Sequence, residues 1–269
     1  MIVADIARMA KRGLIAARER TPLEQPESAD VRAWMESVRR DGFCTVSGFY
    51  DPATCGELRQ EVLDLVERYP NAVQSMSKGA DRRIFGAERA APGIRRFAED
   101  PRLLNAARSV LAGDAANAFT LAGTIAHREG NLGSGEGWHR DSFFNQLKAI
   151  VYLTDVTEDN GPFEYITRSH LVREKFSDHK KYGVPLKSSR IDDATVGKVT
   201  AGEPERHRIF TASVGTLLLV DTTGIHRGMP LKGGERFALT NYYVPGKAFG
   251  PQLFEHFNPV LGRHVPVQS

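Results

Sequence analysis

The chain has 269 residues, 41% of them hydrophobic and 26% charged, with a formal net charge of +3 at pH 7. These are the proportions of a soluble globular protein, and so mild a charge, with no basic stripe interleaved with aromatics, argues against a nucleic-acid partner. No apolar run reaches bilayer-spanning length, no signal-peptide pattern opens the chain, and Cys44 and Cys55 form no Cys-x-x-Cys pair, so the expectation is a cytoplasmic protein with reduced thiols, Cys44 being buried in a strand.

Residues 2–20 carry Ile2, Val3, Ile6, Met9, Leu14 and Ile15 beside the cations Lys11, Arg12, Arg18 and Arg20, which predicts a basic amphipathic helix ended by Pro22 and Pro26. It suits a surface helix packed on the domain or on a partner, with peripheral membrane contact as the alternative. Further helices are expected over 30–40, from the N-cap Asp51 through Tyr69, and over 101–111, with a strand over 43–49. Residues 71–92 show no period and hold Lys78, Arg82, Arg83 and Arg89, so they read as an irregular basic loop. From Phe119 onward the pattern turns to strands, over 119–127, 147–156, 163–167, 208–211, 214–220 and 236–244. Gly- and Asn/Asp-rich turns separate them, as in a double-sheet β architecture. Residues 172–204 interrupt the series as a long polar insertion with Lys175, Lys180, Lys181, Lys187 and Arg190, and such a loop is functional or disordered. After Pro245 the tail is irregular, with Phe249, Phe254 and Phe257 available to pack back. The expected organisation is an N-terminal helix and linker over 1–27 and one domain over 28–269, with helical support over 28–113 and a lid over 172–204.

The chemistry centres on Gly137-Trp138-His139-Arg140-Asp141. On an extended backbone, side chains two residues apart share a face, so His139 and Asp141 can hold one cation together. The best third ligand is His226, which follows the apolar run Leu217–Val220. Two His and one carboxylate, with coordination positions left open, form the facial triad that suits non-haem iron(II) oxygenases. Arg236 lies shortly beyond, where its guanidinium fork can hold a carboxylate.

Around this triad the sequence resembles the phytanoyl-CoA dioxygenase family of iron(II)- and 2-oxoglutarate-dependent oxygenases. Leu147–Val156 is similar to the strand that follows the family's His-x-Asp triplet, and Asn160-Gly161-Pro162-Phe163 to its Asn-Gly-Pro turn. Arg168-Ser169-His170 is similar to its Gly-Ser-His segment, with Arg168 in place of the usual Gly. The resemblance is strongest over 119–244 and weaker over 41–113. It implies a double-stranded β-helix (jelly-roll, cupin-like) core, mainly β with flanking helices, using Fe(II), 2-oxoglutarate as co-substrate and O2.

Carried over residue by residue, the resemblance makes His139, Asp141 and His226 the metal ligands and Arg236 the partner of the far carboxylate of 2-oxoglutarate. Thr240, on the same strand face, and Tyr152 are further candidate contacts to the co-substrate. Gly228 stands where relatives often carry a Ser, which leaves the second 2-oxoglutarate contact open. The carboxylate of Asp141 argues against halogenation, in which a halide takes the place of a missing carboxylate. Trp138, His127 and His170 read as structural, the first two in the core. The expected reaction hydroxylates an unactivated C–H of a small metabolite, with desaturation or cyclisation equally compatible. Arg83 and Arg190, in the two basic segments, are the candidate contacts to an anionic substrate. A cupin-like metal-binding protein without redox activity is the alternative, and Arg236 discriminates against it. The oligomeric state stays open.

Overall fold

The computed structural model describes residues 26–111, 115–141 and 146–245. The expected helix over 2–20 and the aromatic tail with Phe249, Phe254 and Phe257 lie outside these residues. The described chain runs through α1 (Ala29–Asp41), β1 (Phe43–Val46), α2 (Pro52–Arg68), β2 (Gln74–Met76), β3 (Asp81–Phe85), α3 (Pro92–Ala98) and α4 (Pro101–Leu111). It continues with β4 (Ala116–Ala126), β5 (Leu147–Tyr152), β6 (Phe163–Ile166), α5 (Val172–Tyr182), α6 (Asp193–Gly202), β7 (His207–Phe210), β8 (Leu217–Asp221), β9 (His226–Gly228) and β10 (Glu235–Val244). The first two helices start where side chains satisfy the free N–H groups of the opening turn. Ser28 accepts from Val31 N–H and Asp51 from Thr54 N–H, the latter just ahead of Pro52.

All strand pairings are antiparallel and build two sheets. One has seven strands in the order β1-β8-β5-β10-β4-β3-β2, the other three in the order β7-β6-β9. Period-two alternation then sorts each strand of the large sheet into two faces. From β5 and β10, Leu147, Ala149, Val151, Phe237, Leu239 and Tyr243 pack outward against Val31, Met35, Leu58, Val62, Ile94, Phe97 and Leu103 of the helices. Ile150 and Tyr152, with Leu218 and Val220 of β8, point the other way and meet Phe163, Tyr165 and Phe210 of the small sheet. The result is a jelly roll with a helical layer behind its larger sheet. No helix among the described residues is long and apolar enough to cross a membrane.

Two segments read as loops are structured. Residues 71–92 contain β2 and β3, and β3 extends the large sheet through its pairing with β4. Its alternation escapes a hydrophobic reading because the inward positions hold an ion pair, Arg83 Nη2 to Asp81 Oδ2 at 2.6 Å, where apolar residues are expected. Residues 172–204 hold α5 and α6 in place of an irregular lid. In α5 the buried side chains are Lys175 and Asp178, so its apolar stripe is missing from the sequence. Asp178 instead meets Arg206 through two hydrogen bonds, of 2.7 and 2.9 Å. Both cysteines are free, and the buried one is Cys55, with Cys44 half-buried at the edge strand β1.

Candidate metal centre and active site

Backbone pairing brings two of the three candidate ligands together. His139 N–H donates to His226 O and His226 N–H donates to His139 O, each at 2.9 Å, so the two residues face each other across a β-bridge. Two residues further on, Asp141 N–H donates to Thr222 O at 3.1 Å. One nitrogen from each imidazole and one oxygen of Asp141 all lie within 4.8 Å of one another. Nε2 of His139 is 3.6 Å from Asp141 Oδ1, and Nε2 of His226 is 3.6 Å from Asp141 Oδ2.

The second nitrogen of each ring decides which atom is free for a metal. His139 Nδ1 lies 2.8 Å from Gly137 O, and His226 Nδ1 lies 3.0 Å from Gly224 O. A carbonyl accepts only, so Nδ1 carries the proton in both rings and Nε2 presents a lone pair toward Asp141. Burial pushes the His226 imidazole down to about 3 and moves His139 in the same direction. Both rings are therefore neutral at physiological pH, and a metal binds there without displacing a proton. For Asp141 burial acts upward, but Lys148 and the two imidazoles outweigh it and hold the carboxyl below its ordinary range. Two neutral imidazoles and one carboxylate make the donor set expected for a divalent first-row metal with open positions.

The triad lines a cavity, partly open to solvent, between the two sheets. Its other walls include Asp81, Arg83, Ser134, Lys148, Ile150, Tyr152, Phe163, Arg236, Thr240 and Tyr242. Arg236 is 8% exposed, makes no ion pair among the described residues and lines the cavity. Thr240 lies on the same face of β10, and the Tyr152 ring stands with its centroid 6.0 Å from Arg236 Cζ. The Tyr152 hydroxyl accepts from Phe163 N–H at 3.3 Å, which ties the two sheets together.

The two candidate substrate contacts separate. Arg83 lines the cavity, bound to Asp81 and, at 3.1 Å, to Ser134 Oγ. Arg190 is exposed and its guanidinium donates to the carbonyls of Gly135 and Glu136, bracing the turn ahead of His139. Trp138 is in a core cluster with Ile166 and Ile191, and His170 bonds Arg39 O from a buried position. His127 is exposed, contrary to its reading as a core histidine, because it lies just beyond the end of β4 at the edge of the sandwich. At Gly228 an added Cβ would fall 2.8 Å from Ser134 Cβ, so the room for a side chain there is already filled by Ser134.

Sequence reasoning missed Lys148, Asp81 and Tyr242 as cavity residues. The signal for Lys148 was present as a lone charge inside the apolar run Leu147–Leu153. Gly135 shows how closely the turn fits the ligand, since it has φ +85 and a Cβ there would lie 2.4 Å from His139 Cε1. Gly135→Ala should therefore strain the backbone and push the imidazole off its position. Loss of ligand orientation typically costs about 10–100-fold in metal affinity. A Co(II) titration should show a fall in that range, and unchanged affinity would mean that the ring has room to yield.

A model of the family described as "Phytanoyl-CoA dioxygenase (PhyH)" matches residues 38–235. The ectoine dioxygenase of Bordetella parapertussis is 26% identical over 212 residues, covering 71% of this chain and 68% of the relative. Among solved structures, EctD from S. alaskensis with 2-oxoglutarate and 5-hydroxyectoine superposes with a TM-score of 0.64 at 18% identity, over 87% of this chain and 85% of that one. The epimerase SnoN of nogalamycin biosynthesis, in complex with Fe3+, alpha ketoglutarate and nogalamycin RO, does so with a TM-score of 0.61 at 18% identity, over 80% and 84%. At such identities the two structures establish the fold alone, but the family model spans most of the jelly roll and all three ligand positions. The chain belongs to the phytanoyl-CoA dioxygenase family of iron- and 2-oxoglutarate-dependent dioxygenases.

Proposed function

We propose that this dioxygenase hydroxylates an unactivated C–H bond of a small anionic metabolite, with release of succinate and carbon dioxide. One observation carries the reading. The metal-ligating triad and Arg236, a buried cation with no ion pair among the described residues, open onto the same cavity. A metal-binding protein without redox activity has no use for such a guanidinium.

Iron bound by His139, Asp141 and His226 supplies, with 2-oxoglutarate and dioxygen, the oxidising chemistry. Arg236 holds the far carboxylate of 2-oxoglutarate through its planar fork, and Thr240, on the same strand face, offers a hydroxyl beside it. Tyr152, Ile150, Leu121 and Phe163 give the cavity apolar wall surface beside its charged groups. Charge balance supports an anionic substrate. Among the described residues of the cavity, Arg83, Lys148 and Arg236 face two carboxylates, Asp81 and Asp141. A divalent metal and dianionic 2-oxoglutarate cancel, so one positive charge is left for the substrate to meet. The relatives named for ectoine support a substrate of small size.

The test begins with a substrate screen read by succinate formation, with Fe(II) and 2-oxoglutarate both required. For the best substrate, kcat/KM should fall as salt is raised, and the slope should be shallower in Arg83→Ala. A neutral substrate, or one salt dependence shared by wild type and Arg83→Ala, would overturn the anionic reading and leave the dioxygenase class intact.

A further inference from the structure

The strand β5 carries one charged side chain, Lys148, and it points at the metal centre. Lys148 is 7% exposed, and its Nζ lies 2.6 Å from Asp141 Oδ2. That oxygen faces His226, while Oδ1 faces His139. Lys148 sits opposite Tyr242 in the β5–β10 register, with Nζ 4.2 Å from the centre of the Tyr242 ring. Burial and the aromatic face both favour the ammonium where it stands, beside the carboxylate.

We propose that the charge of Lys148, held against Asp141, biases the bound iron toward the ferrous state. The inference rests on the iron-binding reading of the triad. A carboxylate that ligates through one oxygen keeps the other for a second donor, and Lys148 fixes which oxygen is left. Before the ion arrives, Lys148 is the counter-charge of a carboxylate lodged between two neutral imidazoles. Once the ion is in place, the ammonium repels it in proportion to its charge. Ferric iron, with one charge more than ferrous, is disfavoured more. Lys148 does not touch the reacting atoms; it acts through Asp141 and through the field at the metal.

Lys148→Gln removes the charge and keeps an N–H donor for Asp141, whereas Lys148→Arg keeps the charge. In the glutamine variant Co(II) should bind more tightly, on the order of tenfold or more. The midpoint potential of its bound iron should be lower, and ferrous protein left in air without substrate should turn ferric several times faster. The arginine variant should stay close to wild type in all three measurements. Lys148→Met is the second neutral variant should the glutamine protein fold poorly, and it should show the same direction in potential. Co(II) affinity or an iron potential unchanged in the neutral variants would overturn the proposal, as would weaker Co(II) binding. A wild-type protein that binds neither Co(II) nor Fe(II) would remove the reading of the triad itself, and this inference with it.

Discussion

His226→Ala should abolish turnover and lower the affinity for Fe(II) or Co(II) by more than the roughly 10–100-fold that loss of an outer partner costs. The residue is a direct ligand candidate, and the described cavity contains no other imidazole or carboxylate placed to take its part beside Asp141. The fold should survive. His226 sits on the short strand β9, and its backbone bonds to His139 and to β6 are independent of the side chain. What is lost structurally is a 2% exposed ring stacked on Phe163, with centroids 5.3 Å apart. A cavity of that kind costs about 2–3 kcal/mol, which is a shift of several degrees in Tm for a domain of this size. Far-ultraviolet circular dichroism should match wild type while metal titration and succinate production both vanish. Activity equal to wild type would take His226 out of the site.

Arg236→Ala should weaken 2-oxoglutarate binding by at least about an order of magnitude while metal affinity changes little. Truncating one partner of a buried charge pair costs about 2–5 kcal/mol, and about 1.4 kcal/mol corresponds to a factor of ten. The size of the effect follows from burial, since at 8% exposure neither water nor salt can stand in for the lost fork. Without co-substrate the same residue is a liability, because a buried cation that makes no ion pair among the described residues is costly to desolvate. Arg236→Met, which keeps the apolar stem, should therefore hold or raise the melting temperature of the free enzyme while it loses 2-oxoglutarate affinity. That opposition is the signature of a group kept for function. An unaltered 2-oxoglutarate affinity would show that Arg236 is not the partner of the far carboxylate.

The strands from Phe119 onward were legible because their outward residues are apolar and period-two alternation exposes them. The helices over 30–40 and 101–111 were legible for the corresponding helical reason. The elements that escaped share one cause. In β3 the inward pair is Asp81 and Arg83, and in α5 the buried pair is Lys175 and Asp178. Charge that is satisfied inside a fold looks on the page like charge that belongs outside it. The same blindness hid Lys148, which periodicity would assign to an interior facing nothing but apolar groups. His139 and Asp141 could be read because a period-two pair encodes its own geometry. His226 was reached less directly, from its place after the apolar run Leu217–Val220 and from the donor count of a facial triad, with the resemblance agreeing, since no local rule joins two segments so far apart in the chain. The role of Arg190 depended on a turn that only the folded chain reveals, since its guanidinium braces the carbonyls of Gly135 and Glu136.

The mutual backbone bonds between His139 and His226 have a consequence for how the sandwich finds its register. Side chains alternate along a strand, so a slip of one residue in this pairing would turn Ile225 or Arg227 toward the cavity in place of His226. Ile225 is wholly buried on the other face, and Arg227 is committed there to Glu164. Burial of the apolar face already opposes such a slip. Here one alignment alone presents three ligand atoms to a single point, and any ion that binds them selects that alignment from its competitors. An ion bound at His139, Asp141 and His226 would therefore add to the backbone pairing a further preference for this one register.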